Sequence, residues 1–211
     1  MKAFLILEDG NVFTGTSIGS TREVISEIVF NTSMTGYLEV LTDPSYAGQA
    51  VVMTYPLIGN YGITPDMESK KPWPDGYIVR ELSRMPSNFR CEGTIQDFLT
   101  KNDIPGIAGI DTRALTKILR EKGTMNGMIT TNENYDLDEV ISKLKNYKVE
   151  GVVSKVTCEE KYVLEGKGKK VALLDLGAKK NIAKSLNDRG CEVTVYPADT
   201  TAEEIIASNP D

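Results

Sequence analysis

The stretch from Val171 to Tyr196 restricts the fold of this chain more than any other. Val171 to Leu174 is a short apolar run typical of a strand, Gly177 supplies a turn, and a helical pattern then ends at Gly190. The helix face predicted to contact the sheet consists of Ile182, Ala183 and Leu186. A second apolar strand follows from Glu192 to Tyr196. This order predicts a βαβ unit, with two parallel strands and a helix packed on them.

Little of the chain remains after this unit. One more helix is expected, capped by Thr201 to Glu204, before the last residue, Asp211. A doubly wound sheet has about four to six strands, and two strands with two helices cannot cover both of its faces. The sequence therefore predicts an incomplete doubly wound domain over 171–211, whose uncovered face leaves it mobile, swapped or paired with another copy.

The first half of the chain shows a different pattern, with short strands and tight turns. Ala3 to Leu7, Asn11 to Thr14 and Val24 to Phe30 are rich in β-branched and aromatic residues. Asp9-Gly10 lies between the first two and is typical of a hairpin turn. Two further strands are predicted, Ala50 to Tyr55 and Tyr77 to Val79, separated by a long loop. An antiparallel sheet is expected to begin the chain.

Three helices are predicted after residue 90 from their N-cap residues, Thr94, Asp111 and Asp136. A buried strand, Ile107 to Ile110, separates the first two. The inward-facing residues of the second and third helices are predicted to be Leu115, Ile118, Leu119, Leu137, Val140, Ile141 and Leu144. Together with the strands, these helices predict the α/β class.

Composition changes between the two halves. Cys158 to Lys170 is charged, rich in Gly and Lys, and almost without periodicity, which indicates a linker. We therefore predict a first domain over 1–153, a linker over 154–170 and a second domain over 171–211.

The residue types exclude several classes of function. The chain contains no histidine, so no Ser-His-Asp triad, Cys-His dyad or histidine-ligated zinc site can be built from it alone. A net charge of -6 opposes nucleic acid binding. The opening apolar run of Ala3 to Leu7 is too short for a signal peptide or a membrane span, so we expect a cytoplasmic location and no membrane partner. The three cysteines, Cys91, Cys158 and Cys191, are expected to be reduced structural thiols, and no metal site is expected.

Two local features have both a structural and a functional interpretation. Asp43-Pro44-Ser45-Tyr46 predicts a type I turn that presents the Ser45 hydroxyl, either as an ordinary turn residue or as a contact for a polar substrate. Trp73 could pack on its own domain or anchor a partner. The turn at Gly177 to Lys180 lacks a dinucleotide fingerprint, which makes a nucleotide site there a weak hypothesis.

Several longer motifs resemble one known family along the whole chain. They are Phe30 to Asn60, Ile78 to Arg80, Ser87 to Arg90, Gly109 to Arg113, Leu119 to Gly123 and the start of the βαβ unit, Asp175 to Ile182 with Arg189 to Cys191. Together they resemble the small, glutamine-hydrolysing subunit of carbamoyl-phosphate synthase. The resemblance implies a swivelling-type β/β/α first domain, followed by the first βαβ unit of a flavodoxin-like class I glutamine amidotransferase domain.

The resemblance also implies a reaction and a site. In that family a Cys-His-Glu triad releases ammonia from L-glutamine, and the large subunit uses it with ATP, Mg and bicarbonate to make carbamoyl phosphate for arginine and pyrimidine synthesis. The triad lies beyond the position that matches Asp211, so no catalytic residue and no cofactor is expected in this chain, which should be inert alone. Ser45 matches a serine that contacts bound glutamine. The large subunit is the implied partner, and the alternative is a non-catalytic assembly or binding module.

Overall fold

The computed structural model describes residues 1–211, with twelve strands and seven helices. The strands are β1 Lys2–Leu7, β2 Val12–Ser17, β3 Val24–Asn31, β4 Gln49–Met53, β5 Leu57–Ile58, β6 Gly76–Ile78, β7 Glu81–Leu82, β8 Gly106–Ala108, β9 Met125–Thr130, β10 Tyr162–Leu164, β11 Lys170–Leu174 and β12 Glu192–Tyr196. The helices are α1 Tyr37–Thr42, α2 Ile95–Lys101, α3 Thr112–Lys122, α4 Leu137–Asn146, α5 Val152–Val156, α6 Lys180–Asn187 and α7 Ala202–Ala207. The α/β class predicted from the sequence is confirmed.

Seven strands of the first half form one sheet that closes on itself. Their order is β1-β2-β8-β6-β4-β3-β9, and the antiparallel pair of β9 with β1 completes the ring. The predicted hairpin joins β1 to β2, and Gly10 has the positive φ of 88° that this tight turn requires. β4 pairs in parallel with β3 on one side and with β6 on the other, so the sheet is mixed.

The core follows from the two-residue period of the strands. In β1, the side chains of Ala3, Leu5 and Leu7 belong to the cluster inside the ring, where Leu115 and Leu119 of α3 also pack. The alternate residues, Phe4 and Ile6, lie on the outer face and contact Val140 and Leu144 of α4. Because both faces are covered, every residue from Ala3 to Leu7 is buried.

A second outer layer covers β4 and β6 and positions the loop that follows α1. Val51, Met53 and Tyr77 point outward from these strands into a cluster that includes Leu38 and Leu41 of α1. Leu99 of α2 belongs to the same cluster. The segment after α1 therefore starts from a rigid, fully packed helix.

The second half contains a separate three-stranded sheet in the order β10-β12-β11. β11 and β12 pair in parallel across α6, as the βαβ prediction requires. The segment predicted as a linker, 154–170, contains a strand, because Tyr162–Leu164 form β10 and pair with the edge of β12. Three residues are too few to show strand periodicity, and so the composition of the segment concealed the strand.

Other details of the sequence interpretation also need correction. β11 is only partly buried, and Ile182 of α6 is 47% exposed and lies outside the cluster in which Ala183 packs on the second sheet. Leu137, the first residue of α4, is 38% exposed, whereas Val140 and Leu144 of the same helix are buried. The loop between β4 and β6 contains the short strand β5, which pairs with β7. No helix combines the length and the apolar character needed to cross a membrane.

Candidate functional site

Ser45 lies on a rigid turn at the surface. The turn is a 3-10 segment over Pro44–Tyr46, with Asp43 as its N-cap and Pro44 in the first position. The Asp43 carboxylate accepts a hydrogen bond from the Ser45 amide at 2.9 Å, and the Tyr46 amide donates to the Asp43 carbonyl at 3.1 Å. The hydroxyl of Ser45 is exposed and forms no hydrogen bond within the chain, which leaves it free to bind a polar group.

The carboxylate that caps this turn also binds the residue that precedes α6. Lys179 Nζ lies 2.8 Å from the second oxygen of Asp43, whose side chain is only 9% exposed. The hydrogen bond to Asp43 raises the pKa of Lys179, so that this amine stays charged. Asp43 therefore holds the turn with one oxygen and Lys179 with the other.

In the turn between β11 and α6, backbone amides donate hydrogen bonds to a single carboxylate, that of Asp175. Asp175, 7% exposed, accepts hydrogen bonds from the amides of Gly177 at 2.9 Å and Ala178 at 2.7 Å. It also accepts one from the Cys158 amide at 2.8 Å, which ties the end of α5 to the turn. Gly177 has a φ of 103°, and a Cβ added there would lie 2.8 Å from Val156 and 3.5 Å from Pro44. This turn thus packs directly on the Ser45 turn.

Glu68 provides a second connection between the two sheets. Its carbonyl accepts a hydrogen bond from the Lys180 amide at 2.9 Å, and its carboxylate accepts from Asn181 Nδ2 at 3.1 and 3.2 Å. The Glu68 amide donates to the Thr42 hydroxyl at 2.9 Å, one residue before Asp43. We call the Ser45 turn, the β11–α6 turn and Glu68 the corner between the two sheets. The Ser45 turn in this corner is therefore held by Lys179 through Asp43, and by Asn181 and Lys180 through Glu68 and Thr42.

This corner can bind a polar molecule, but it holds no pair of groups for nucleophilic attack. Cys158 is the cysteine attached to the Asp175 turn, and burial raises the pKa of its thiol, with a further rise from the Asp175 carboxylate. The absence of histidine removes the usual base for a thiol or hydroxyl nucleophile. No three His, Cys, Asp or Glu side chains are grouped closely enough to hold a metal ion.

Trp73 lies in a neighbouring cleft of about 540 Å³ that begins at Ala47 and Gly48, just after the Ser45 turn. Its indole Nε1 donates to the Ser69 hydroxyl at 2.8 Å, and Lys71 Nζ lies 4.2 Å from the centre of its ring. Of the two interpretations of Trp73, the structure supports packing on its own domain.

Comparison with known proteins identifies the family. Residues 5–129 match the model of the carbamoyl-phosphate synthase small chain, CPSase domain, which is more than half of the chain. The chain belongs to the carbamoyl-phosphate synthase small chain family. Ser45 lies within the matched residues, whereas Asp175 and Lys179 lie after them.

Relatives in this family match the chain from end to end. The carbamoyl phosphate synthase small chain of Clostridium perfringens is 55% identical over 212 residues, which cover 100% of this chain and 60% of the relative. The small chain of Listeria monocytogenes is 48% identical and that of Bacillus caldolyticus 46%, each over 100% of this chain and 58% of the relative. The chain thus spans about 60% of the length of the relatives it matches.

Sequence reasoning found Ser45 but not the residues that fix its position. The turn around Asp43 was predicted, yet its contact with Lys179 joins two segments that are far apart along the chain. The motif Gly177 to Lys180 lacks phosphate-binding glycines and carries no other pattern that points to Asp43. No signal in the sequence pairs Glu68 with Asn181, because both are ordinary surface residue types.

Proposed function

We propose that residues 1–211 form the N-terminal part of a carbamoyl-phosphate synthase small chain that hydrolyses L-glutamine and delivers ammonia to a large chain. The observation that supports this most strongly is the 55% identity to the Clostridium perfringens small chain over every residue of this chain. Identity of this extent includes both sheets and the corner between them, and not one isolated motif.

Within this function, Ser45 contacts the bound L-glutamine. Its hydroxyl can donate one hydrogen bond and accept others, which suits a substrate with an ammonium, a carboxylate and an amide. The exposed and unbonded hydroxyl supports this role, as does the rigid turn that carries it. The position beside the β11–α6 turn supports a pocket formed between the two sheets.

Residues 1–211 supply binding and not bond cleavage in this proposal. Hydrolysis of an amide through a Cys-His-Glu triad needs a histidine, and this chain has none. Cys158 is also unsuited to attack, because burial raises the pKa of its thiol. The triad is therefore completed by residues outside 1–211, and residues 1–211 alone release no ammonia from glutamine.

The proposal extends to the partner and the pathway. The large chain uses the ammonia with ATP, Mg and bicarbonate to make carbamoyl phosphate in the cytoplasm, for arginine and pyrimidine synthesis. The finer fold assignment belongs to the same proposal, with a swivelling-type first domain and a flavodoxin-like second domain. The closed mixed sheet and the βαβ unit support these two assignments respectively.

A chimera provides the direct test. Residues 1–211 are joined to the remaining 40% or so of the Clostridium perfringens small chain, in place of the segment they match. We expect the chimera to release ammonia from glutamine in the presence of the large chain. Ser45→Ala should raise KM for glutamine about tenfold with a smaller change in kcat, as expected for the loss of a hydrogen bond to substrate.

Ser17→Ala is the matched control. Ser17 lies in β2, on a different part of the closed sheet, and its hydroxyl forms no hydrogen bond within the chain. Its removal should leave KM and kcat unchanged. An unchanged KM for Ser45→Ala would show that Ser45 does not contact glutamine. A folded chimera with no ammonia release, beside an active relative, would contradict the proposed function itself.

A further inference from the structure

The segment just before β6, residues 68–75, lies against the C-terminal end of α1, and we call it the 68–75 loop. The last carbonyls of a helix have no partner within the helix itself. In α1, which has six residues, the loop supplies two of these partners. The Trp73 amide donates to the Leu41 carbonyl at 3.1 Å, and the Ser69 hydroxyl donates to the Thr42 carbonyl at 2.7 Å. The loop therefore completes the hydrogen bonds of this helix end.

The same loop holds the chain directly after the Ser45 turn. Pro74 forms an antiparallel bridge with Ala47, the first residue beyond the turn. The Asp75 amide donates to the carbonyl of Gln49, where β4 begins, at 2.8 Å. The segment that carries Ser45 is therefore held at both of its ends by one loop.

Trp73 fixes the hydroxyl that holds the end of α1. Its indole Nε1 donates to Ser69 Oγ at 2.8 Å, and this oxygen also lies 2.8 Å from the Lys71 carbonyl. The ring is held in turn by Lys71 Nζ, 4.2 Å from its centre. A proline on each side of Trp73 restricts the backbone at this point. The indole and the serine hydroxyl thus form one rigid contact with the Thr42 carbonyl.

The first residue of the loop, Glu68, is anchored on both α1 and α6. Its amide donates to the Thr42 hydroxyl at 2.9 Å, and its carbonyl accepts from the Lys180 amide at 2.9 Å. Its carboxylate accepts from Asn181 Nδ2. Because of these contacts, the loop cannot withdraw from α1 without also breaking hydrogen bonds to α6.

We propose that Ser69 and Trp73 are positioning residues for the candidate glutamine contact, Ser45. This inference rests on the proposed function, in which the Ser45 hydroxyl binds L-glutamine. Ser45 lies three residues after Thr42, so a change in the direction of the chain at the Thr42 carbonyl displaces that hydroxyl. A displacement of about 1 Å in a binding group lowers the rate of an enzyme by up to about a hundredfold. Ser69 and Trp73 themselves do not contact the substrate.

Glutamine kinetics of the chimera with the large chain test this inference. Ser69→Ala removes the hydroxyl between Trp73 and Thr42, and should raise KM for glutamine about fivefold with a smaller change in kcat. Ser69→Thr keeps a hydroxyl and should return KM to within about twofold of the wild type. Trp73→Phe keeps an aromatic ring but removes the Nε1 donor, and should raise KM about threefold. Circular dichroism verifies that each variant is folded, and Trp73→Phe carries the test if Ser69→Ala does not fold.

Combination with Ser45→Ala separates positioning from a general loss of structure. If Ser69 acts through Ser45, Ser69→Ala should change KM by less than about twofold in a chimera that already carries Ser45→Ala. The same fivefold or so increase in both backgrounds would show that Ser69 affects glutamine by another route, and would overturn the inference.

Ser208→Ala is the matched control. The Ser208 hydroxyl donates to the Ile205 carbonyl at 2.7 Å at the end of α7, so the variant loses a bond of the same kind and length on another helix. Its KM should equal that of the wild type. An increase as large as that of Ser69→Ala would mean that the effect is not specific to the 68–75 loop, and would contradict the inference.

Intrinsic fluorescence of the 211-residue chain gives a readout that does not depend on activity, because Trp73 is its only tryptophan. Ser69→Ala should move the emission to longer wavelength, since the indole loses its partner and gains contact with water. Ser69→Thr should leave the emission unchanged. Identical emission for Ser69→Ala and the wild type would show that the Ser69 hydroxyl does not hold the indole, which the inference requires.

The kinetic results separate this inference from the proposed function. If the wild-type chimera releases ammonia and neither Ser69→Ala nor Trp73→Phe changes KM, the 68–75 loop does not position Ser45, while the proposed function stands. If Ser45→Ala itself leaves KM unchanged, Ser45 is not the contact and there is nothing for the loop to position. If the folded wild-type chimera releases no ammonia, the proposed function is wrong and this inference fails with it.

Discussion

Lys179 Nζ lies 2.8 Å from Asp43 Oδ2, and through this contact a residue of the β11–α6 turn neutralises the carboxylate that caps the Ser45 turn. The other oxygen of Asp43 accepts the Ser45 amide at 2.9 Å. Asp43 is nearly buried, so this amine is the partner of an oxygen that has little access to water. The orientation of the candidate glutamine contact is therefore set by both halves of the chain.

Breaking the Asp43–Lys179 pair should destabilise the chain. Lys179→Met leaves the Asp43 carboxylate without a cation and should cost about 1–2 kcal/mol of unfolding free energy in urea. Asp43→Asn should cost less, because Asn still caps the turn. In a double-mutant cycle we expect a coupling energy of about 1 kcal/mol, since Lys179 is 45% exposed and partly screened.

The pair Lys117–Glu121 serves as the control for that cycle. Its atoms are 3.9 Å apart and both side chains are largely exposed, so Lys117→Met should change the unfolding free energy by less than about 0.5 kcal/mol. A coupling energy near zero between Asp43 and Lys179 would mean that the two halves are joined by other contacts.

Replacement of Gly177 should separate the two turns that form the corner. An alanine at this position must adopt a φ of 103° and place its Cβ 2.8 Å from Val156, so we expect a loss of about 2–3 kcal/mol. Gly190→Ala is the matched control, because its φ is 90° and no atom lies within 4 Å of the added Cβ. The difference between the two variants in the free energy of urea unfolding measures the effect of the close contact with Val156, because the backbone strain is common to both. Equal losses of unfolding free energy would show that this contact does not matter for stability.

Asp75 should make the stability of the chain depend on pH. Burial raises the pKa of this carboxyl, and the charges of Arg22 and Lys155 offset that rise only in part. The native state then binds more protons than the unfolded state between the unfolded pKa of about 3.9 and the raised native value. Stability is therefore lost as the pH rises through this window, and the loss persists above it.

Asp75→Asn removes this titration and should increase stability at pH 7, where the buried carboxylate is charged in the wild-type chain. The gain should shrink as the pH falls toward about 4, as measured by urea unfolding at several pH values. Asp199→Asn, which changes an exposed carboxyl that forms no ion pair, should have no such effect. A gain for Asp75→Asn that is independent of pH would contradict the explanation by burial.

Hydrogen exchange should show that the second sheet is the less stable part. Its core cluster has 3 buried residues, compared with 14 inside the closed sheet. We therefore expect the amides of β11 and β12 to exchange faster than those of β3 in a monomer, as measured by mass spectrometry of peptides. Equal protection in both sheets would show that the uncovered face of the second sheet does not weaken it.

The fold was predictable where the sequence pattern is local. The hairpin at Gly10, the N-caps at Thr94 and Asp111 and the βαβ unit all depend on residues within a few positions of one another. The closure of the first sheet was not predicted, because β9 returns from the far end of the domain to pair with β1. Short elements such as β10 were missed since three residues carry no period.

The candidate site was predictable only at Ser45, where Asp43-Pro44 indicates a turn from residue type alone. Its dependence on Lys179 and Gly177 could not be found, because these residues approach Asp43 and Pro44 only when the two sheets pack.

By itself the sequence determined the α/β class, the turn that presents Ser45, the lack of an imidazole base and, through extended motifs, the family. The tertiary structure alone decided which side chains from distant segments meet at the corner, and which apolar residues remain in solvent. The physical reason is that backbone preferences and apolar periodicity act over a few residues. Ion pairs and packing contacts form between segments whose proximity depends on the whole chain.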